Sequence, residues 1–359
     1  MAGITQLIHL HAPIQSRIVD DVRSRIISGE FPPGCQLPSV LEMERNYGTS
    51  VITVQRALKH LRKDGFIRTR RGSGSYVTAN PPHLCNYAML VPYTGSAKRF
   101  FTALEAEAHE FFSFLENSPV KRRMSVCHQV ACRPEDRVAA HPSLMEAAEK
   151  HQFAGIILTT PPFDLAGTPL LETPDLPRVT FHPRPFTGIP AINLQGFLDK
   201  ALDHLLKRGR RRIAVIILAY ENPDRYLQAL RERGCQTPPH WIHGIGLQTH
   251  WAENCVRLLL AGKDRPDGLI IADDNLVPDA TRGIAASGVS VPDELEVVAH
   301  TNFPHPTDAA VPATRIGYSI TRLLQLCIDL LDRQRAGEET PSVTEFHACR
   351  ADEAESRAE

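Results

Sequence analysis

Long hydrophobic runs and paired cysteines are two features that this sequence of 359 residues lacks. The absence of an apolar stretch of about 18 residues argues against a transmembrane helix. The first residues, MAGITQLIHLHAPIQSR, lack the basic, apolar and small-residue parts of a secretory signal. The eight cysteines include no CxxC pair, which favours free thiols in a reducing compartment over a disulfide framework. We therefore expect a cytoplasmic protein with no membrane segment.

Signatures of catalysis and of metal binding are also missing. Neither a GxSxG nor an HExxH motif occurs. Three histidines, His240, His243 and His250, lie between Cys235 and Cys255, but no pair has the spacing of a structural zinc site. We interpret the segment around these histidines as a loop followed by the start of a helix. The sequence thus predicts no catalytic residue, no metal site and no cofactor.

Charge is balanced over the whole chain but unevenly distributed. The net charge is −1, yet residues 1–80 hold 11 basic against 6 acidic residues, and the rest of the chain holds 29 against 35. Residues 50–77 contain 7 basic residues, with Asp64 as the only acid. Such density indicates a surface that faces phosphates. The alternative is a solvated helix face with no partner.

The basic N-terminal part contains three segments with helical features. Apolar residues recur at helical spacing from about Ile14 to Ser28, and a segment rich in proline and glycine follows. Ser39 is the expected N-cap of a second, short helix that ends at Gly48, and Ser50 is the expected N-cap of a third. The third helix has one apolar face and one polar, basic face. Two helices joined by a tight glycine turn predict a helix-turn-helix, whose second helix enters the major groove of DNA.

A β-hairpin is expected after the third helix, in the segment FIRTRRGSGSYV. Its glycine-rich loop joins strand to strand, whereas a nucleotide phosphate loop lies between a strand and a helix. We therefore interpret the hairpin as a wing. Its glycines allow close approach to a sugar-phosphate backbone, and Arg70 and Arg71 supply positive charge.

Three motifs in this order, IISGEFPPGCQLPS, GTSVITVQRAL and GFIRTRRGSGSYV, resemble the winged helix-turn-helix of GntR-type bacterial transcription regulators. The resemblance implies a set of DNA-contacting positions, which are Ser50, Thr53, Gln55, Arg71 and Gly72. The outward face of the third helix adds Arg56, and the charge of the wing adds Arg70.

This chain departs from the family pattern in the helix-turn-helix. The family commonly has arginine where this chain has Leu41 and Val51, and often where it has Gln55. Glutamine favours a bidentate contact with adenine, so the resemblance implies an operator that differs from the family's usual sequence. We interpret Leu41 and Val51 as packing residues; the alternative is that they replace the missing DNA contacts.

Beyond the short linker segment NPPHL, apolar runs alternate with helical stretches. The expected strands are YAMLVP, FAGIILTT, LPRVTF, RRIAVIIL, DGLIIADD and LEVVAH. Continuous apolar runs separated by helices are typical of parallel sheets covered on both faces. The number of strands in this length of chain predicts two such sheets.

Two segments, INLQGFLDKALDHLLKRGRRRIAVI and RPDGLIIADDNLVPDATRGIAASGVSVPDELEVVAH, resemble the effector-binding domain of LacI/GalR regulators, which is itself similar to periplasmic sugar-binding proteins. A GntR-type head on such a body also resembles the arabinose-responsive repressors. The resemblance implies an α/β chain with a winged helix-turn-helix followed by a two-lobed domain containing two parallel sheets. The expected divisions are a DNA-binding domain at 1–79, a linker at 80–86, an effector-binding and dimerisation domain at 87–350 and a polar tail at 351–359.

The LacI-like resemblance also implies an effector site between the lobes, at the carboxyl ends of strands. The matching positions are Phe101, Arg225, Asp273 and Asp274. The family's cleft aspartate after the sixth strand is replaced here by Thr301, followed by Asn302, which we include as a candidate. This replacement leaves the choice of a sugar as effector open.

The combined features predict a sequence-specific regulator, a repressor, that binds a double-stranded DNA operator as a homodimer. A small polar effector, such as a carbohydrate, would control its affinity; the alternative is a body that serves dimerisation without an effector. An aminotransferase-like fusion would need a longer body and a lysine placed for a Schiff base, whereas Lys263 lies in a turn-like segment. A sugar-transport protein fits neither the basic head nor the missing secretory signal. We therefore expect a regulator and not an enzyme.

Overall fold

The computed structural model describes most of the chain. The described residues are 13–92, 98–116, 121–129, 142–159, 162–181, 186–246 and 248–355. The first 12 residues of the predicted DNA-binding domain and the last four of the predicted tail lie outside them. Within these ranges, no helix combines the length and apolarity needed to cross a bilayer.

The N-terminal domain, which we call the head, has three helices and a two-stranded antiparallel hairpin. Its elements are α1 (Ile14–Ile27), α2 (Val40–Tyr47), α3 (Val51–Lys63), β1 (Ile67–Arg70) and β2 (Gly74–Val77). Ser39 caps α2 through a capping box with Glu42, and Gly48 ends α2 in the left-handed conformation, φ 59°. Left-handed backbone favours glycine because glycine has no Cβ to clash. The helix starts predicted at Ser39 and Ser50 are confirmed.

The rest of the described chain, which we call the body, contains twelve strands and ten α-helices. The strands are β3 (Asn86–Pro92), β4 (Arg123–Gln129), β5 (Gly155–Leu158), β6 (Arg178–Thr180), β7 (Ala191–Gln195), β8 (Ile213–Leu218), β9 (Ile242–Ile245), β10 (Gly268–Ile271), β11 (Glu296–Phe303), β12 (Thr314–Ser319), β13 (Val343–His347) and β14 (Cys349–Arg350). The helices are α4 (Pro82–Cys85), α5 (Lys98–Glu116), α6 (Pro142–Glu149), α7 (Pro169–Glu172), α8 (Phe197–Lys207), α9 (Pro223–Glu232), α10 (Trp251–Ala261), α11 (Val277–Ser287), α12 (Ile320–Arg335) and α13 (Ala351–Glu355).

The strands form two sheets of six, one in each lobe. The first sheet has the order β13-β7-β6-β5-β3-β4 and is parallel throughout. The second has the order β14-β12-β11-β10-β8-β9 and is parallel except for the short β14 at its edge. The inner strands β5, β8 and β10 are buried on both faces, and every residue of each is buried. Continuous apolar runs in the sequence follow from this two-sided burial.

The chain passes between the lobes more than once. It enters the second sheet after β7, returns after β12 through α12, which packs on the first sheet, and moves from β13 in the first sheet to β14 in the second. These crossings bring the carboxyl ends of strands from both lobes to one interlobe space. Ligands of open α/β sheets bind at such ends.

The structure corrects some sequence-based expectations. Each of the six predicted apolar runs contains a strand, but β4, β7, β9, β12, β13 and β14 were not expected. The loop interpretation around His243 is wrong, because Ile242–Ile245 pairs with β8 as an edge strand. Its low apolar content suits an edge, where one side of the strand has no neighbour. A helical turn occupies part of the expected linker, and α13 lies in the segment expected as a polar tail.

Candidate nucleic-acid interface and effector cleft

The start of α3 presents two hydroxyl groups. The Ser50 side chain accepts a hydrogen bond from the Thr53 backbone N–H at 3.3 Å, and the two side-chain oxygens lie 2.9 Å apart. The first turn of a helix has unpaired N–H groups and partial positive charge, which favour phosphate. The cap therefore both begins the helix and places polar groups at its positive end.

The two faces of α3 differ as the sequence predicts. One face packs into the head through buried apolar residues, which are Val54, Ala57, Leu58 and Leu61. Gln55 and Arg56 lie on the opposite face and are exposed. Side chains three or four residues apart share a helix face, so Ile52, Gln55 and Arg56 form one outward stripe.

The tip of the wing is held by hydrogen bonds rather than by packing. Gln36 Nε2 donates to the Ser73 backbone carbonyl at 2.8 Å, and the Ser73 and Tyr76 hydroxyl oxygens lie 2.6 Å apart. The Arg70 guanidinium lies over the Tyr76 ring, 4.8 Å from its centre. These contacts fix the direction of the Arg70 side chain.

The turn itself requires glycine. Gly72 and Gly74 have φ values of 74° and 106°, which side chains rarely adopt. A Cβ on Gly74 would also lie 3.2 Å from Gln36 Nε2, the atom that holds the tip. Arg71 precedes this turn and is exposed to solvent.

The structure corrects the interpretation of Leu41 as a packing residue. The Leu41 side chain is 57% exposed on α2, so it contributes little to the core of the head. Val51 is half-buried, which agrees with partial packing. Ile52, which the sequence analysis did not select, is 61% exposed.

A cleft of about 710 Å³ lies between the lobes. Helix α5 of the first lobe contributes Arg99, Thr102, Ala103 and Ala106 to its wall. The second lobe contributes residues that follow β10, β11 and β9, among which are Asp274, Asn275, Asp279, Arg282, His305 and Thr307. Of the five predicted effector residues, Asp274 lies in this wall.

Asp274, which lies in the cleft wall, is hydrogen-bonded to the buried Asn302. Asn302 Nδ2 donates to Asp274 Oδ2 at 2.6 Å, and the two residues are 0% and 2% exposed, respectively. Burial raises the pKa of Asp274, while the hydrogen bond from Asn302 and the nearby charge of Arg99 oppose the rise. Asn302 Oδ1 is buried and has no hydrogen-bond partner among the described protein atoms. Asp274 is therefore a desolvated carboxyl group beside a buried amide acceptor that is still unused.

Asp273 has a local structural contact. Its Oδ1 accepts hydrogen bonds from the backbone N–H and the side-chain Nδ2 of Asn275, both at 2.8 Å. Burial, and then the neighbouring charge of Asp274, raises the pKa of Asp273. Asp273 thus orients Asn275, whose Oδ1 in turn accepts from the Arg99 backbone N–H at 3.2 Å across the lobes.

The other two predicted effector residues lie apart from this cleft wall. Phe101 packs edge-on against Phe100, with ring centres 5.4 Å apart, and Phe100 in turn contacts Phe181 at 6.4 Å. Arg225 is exposed on the first turn of α9. Periodicity could not have selected Arg99 or Asn275, although Asn275 directly follows two predicted residues.

A second contact joins the lobes through α5. His305 Nε2 lies 3.2 Å from Glu107 Oε2, and the Thr321 hydroxyl donates to the other oxygen of Glu107. Glu107 is buried, and it belongs to the first lobe, whereas His305 follows β11 in the second. Helix α5 is therefore bonded to the second lobe near Arg99 and near Glu107.

Within the described ranges, no group of three His, Cys, Asp or Glu side chains is placed to hold a metal ion. His240 and His243 flank Trp241 at the start of β9, and His250 directly precedes α10. His240 packs its ring against Trp241, with centres 6.4 Å apart.

Two family models match the chain. Residues 14–77 match bacterial regulatory proteins of the gntR family, and residues 202–355 match a periplasmic binding protein-like domain. The arabinose metabolism transcriptional repressor of Geobacillus stearothermophilus is 21% identical over 335 residues, which cover 87% of this chain and 88% of that protein.

Other relatives match part of the chain. The HTH-type transcriptional repressor PurR of Glaesserella parasuis is 28% identical over 214 residues, which cover 55% of this chain and 63% of that protein. The mannosyl-D-glycerate transport/metabolism system repressor MngR of Escherichia coli is 36% identical over 67 residues, which cover 19% of this chain and 28% of that protein.

Solved structures support the fold of the body. A LacI family transcription regulator from Clostridium acetobutylicum aligns with a TM-score of 0.57 at 15% identity, covering 74% of this chain and 98% of that one. A LacI regulator from Lactobacillus casei gives 0.52 at 17% identity, covering 76% and 97%. The predicted fold class, and a regulator rather than an enzyme, are confirmed. Residues 14–77 are thus similar to gntR-family regulatory proteins and residues 202–355 to a periplasmic binding protein-like domain, and the chain, like the repressors that it matches, is a transcription regulator.

Proposed function

We propose that this protein is a cytoplasmic repressor that acts as a homodimer and releases its operator when a small polar effector binds between the lobes. The observation that carries the proposal is a polar interlobe cleft in the same chain as a basic winged helix. The proposed units are the DNA-binding domain at 1–79, the linker at 80–86 and the effector-binding domain at 87–350, with 351–359 as its polar end.

The DNA contacts that we propose are of two kinds: one side chain recognises a base, and the others bind phosphates and position the head on the DNA. Gln55 on the exposed face of α3 reads a base, because an amide can pair with both polar atoms on the major-groove edge of adenine. The remaining contacts reach phosphates through hydroxyls, guanidinium groups and the tight turn of the wing, and they are Ser50, Thr53, Arg56, Arg70, Arg71 and Gly72.

The effector that we propose is a carbohydrate or a related polyhydroxylated metabolite. Asp274 in the cleft wall and the Asn302 amide bonded to it offer acceptors, and Asn275 and Arg99 meet across the lobes. A polyol supplies the hydroxyl donors that a buried carboxylate and an unused amide oxygen require. The name of the Geobacillus relative points to arabinose metabolism, which agrees with this class. We retain Phe101, Arg225 and Asp273 as proposed effector residues at positions outside the wall of this cleft.

The control mechanism that we propose acts through α5. This helix contacts the second lobe at Asn275 and at His305, so a ligand that changes the distance between the lobes must also move α5. A ligand shifts an equilibrium only through contacts that differ between the two states. We expect a coupling of about 1 to 3 kcal/mol between effector and operator.

Selection of genomic fragments by the full chain, followed by gel-shift titration, tests the proposal. We expect a few fragments with near-palindromic sequences to bind, and one member of a panel of pentoses, hexoses and sugar phosphates to release them. Arg71→Ala serves as the control, because it weakens DNA binding without touching the cleft. Failure to enrich any sequence would refute operator binding. Enrichment without release by any compound would support a body that serves dimerisation alone.

A further inference from the structure

Two large apolar side chains of the head are exposed to solvent. Among the described residues, only Leu41, Ile52, Tyr220, Trp251 and Leu258 combine a large apolar side chain with high exposure. Leu41 and Ile52 belong to the two helices of the helix-turn-helix, and each is the second residue of its helix. The other large apolar residues of these helices are buried or half-buried.

Ile52 lies at the N-terminal end of the proposed reading face. It precedes Gln55 by three residues and Arg56 by four, so all three share the outward stripe of α3. The next turn of the same stripe carries Lys59, which is also exposed. The apolar side chain therefore shares its helix face with basic and amide groups.

The residue type at this position is unfavourable for an exposed helix start. Val51, Ile52 and Thr53 form a run of three β-branched residues. Such side chains lose rotamer freedom in a helix, and an exposed isoleucine gains nothing from burial. A single exposed apolar residue is common on protein surfaces. The basic surroundings of Ile52 distinguish it, since they favour a polyanion over an apolar protein partner.

We propose that Ile52 reads thymine by contact with its 5-methyl group in the major groove. The proposal rests on the proposed operator binding and deepens it. Thymine is the base that presents a methyl group in the major groove, and Gln55, one turn away, suits adenine. Together the two side chains select A·T pairs in each half-site.

Leu41 has a different role in the same geometry. The first helix of a helix-turn-helix crosses the sugar-phosphate backbone, whereas the second lies in the groove. Leu41 on α2 therefore lies beside the backbone, where its contact carries no sequence information. Because Leu41 and Ile52 are similarly exposed, Leu41→Ala is a matched control for Ile52→Ala.

The experiment removes the methyl group from the DNA rather than from the protein. A consensus operator is selected from a randomised duplex library with the full-length chain. Each thymine is then replaced, one at a time, by deoxyuridine, which lacks the 5-methyl group. Kd is measured by fluorescence anisotropy at one salt concentration for the wild type, Ile52→Ala, Ile52→Val and Leu41→Ala.

The wild type is expected to lose about four-fold in affinity at one thymine position of each half-site, the value of one buried methyl group. Ile52→Ala should show no further loss on that substitution, and Ile52→Val should keep most of the wild-type discrimination. Leu41→Ala should weaken binding to the thymine duplex and to the deoxyuridine duplex by the same factor, so that the wild-type preference for thymine remains.

The outcomes separate the inference from the function on which it rests. If no consensus emerges, operator binding itself fails and the inference fails with it. If a consensus emerges but deoxyuridine binds as tightly as thymine at every position, the methyl contact is refuted while operator binding stands. The contact is also refuted if Ile52→Ala keeps the full thymine preference.

Discussion

The DNA-binding surface and the effector cleft are built in opposite ways. The surface uses residues close together in sequence, on one helix and one hairpin, with exposed side chains such as Gln55 and Arg71. The cleft joins residues far apart in sequence, such as Arg99, Asp274 and Asn302, and the last two are buried. A local surface can be identified from a motif, whereas a cleft depends on how the whole chain crosses between lobes.

The boundary between these regions is itself structured. Phe66 of the head stacks on His83 of α4, with ring centres 5.8 Å apart. Asp64 at the end of α3 pairs with the buried Arg23 at 3.0 Å, and Lys150 of the body approaches it at 3.9 Å. The head thus contacts both the linker and the first lobe, so a movement of the lobe can reach the recognition helix.

The largest predicted effect is on stability, and it should be confined to the small core of the head, leaving the large core of the body unchanged. Leu61 is fully buried in α3, and Leu61→Ala should reduce the free energy of unfolding of the head by about 4 kcal/mol through lost burial and a cavity. Calorimetry should show an early transition and loss of operator binding, with the body transition unchanged. Leu258→Ala, at a side chain that is 78% exposed, is the control and should change neither transition.

The stability contributed by the boundary between head and body should fall at acidic pH. Burial, and then the charges of Arg335 and His151, lowers the pKa of His83 from 6.5 to about 4. Between these values the unfolded chain binds more protons than the folded one, so stability rises with pH and is lost as pH falls through this window. The full effect is on the order of 3 kcal/mol. His83→Phe should flatten the measured dependence of stability on pH between 6.5 and 4; an unchanged slope would contradict burial of a neutral imidazole.

A substitution in the cleft should abolish the response of the protein to its effector while operator binding is retained. Asp274→Ala leaves Asn302 without its partner and should cost about 2 kcal/mol of stability, an amount that the body tolerates. Operator titrations should show wild-type affinity without effector and no release with it. A folded Asp274→Ala variant that still releases DNA fully would remove this residue from the effector site.

The smallest predicted effects distinguish the two kinds of residue on the DNA-binding surface, those that contact bases and those that contact phosphates. Arg71→Ala should weaken binding to all sequences by about 1 kcal/mol and reduce the salt slope by about one. Gln55→Ala should relax the preference at one base pair and keep the salt slope. Titrations at several salt concentrations, on the operator and on unrelated DNA, distinguish the two. Equal slopes for wild type and Arg71→Ala would contradict the wing assignment.

Features that depend on residues close together in sequence were predicted correctly, whereas features that depend on distant residues were missed. The caps at Ser39 and Ser50 were predictable because capping depends on residues three positions apart. Six of the eight interior strands were predictable because burial on both faces requires continuous apolar runs. The edge strand at Ile242–Ile245 was missed because pairing with β8, and not composition, makes it a strand.

The same distinction explains the candidate sites. The sequence by itself determined the DNA-binding head, its basic face and the two-sheet body, because periodicity and turn residues act over short distances. The tertiary structure decided that Leu41 is exposed rather than packed, and that Arg99, Asn275 and His305 meet Asp274 around one cleft. These contacts join residues as much as 206 positions apart. The free energy that brings them together comes from the burial of both lobes as wholes, which no short segment encodes.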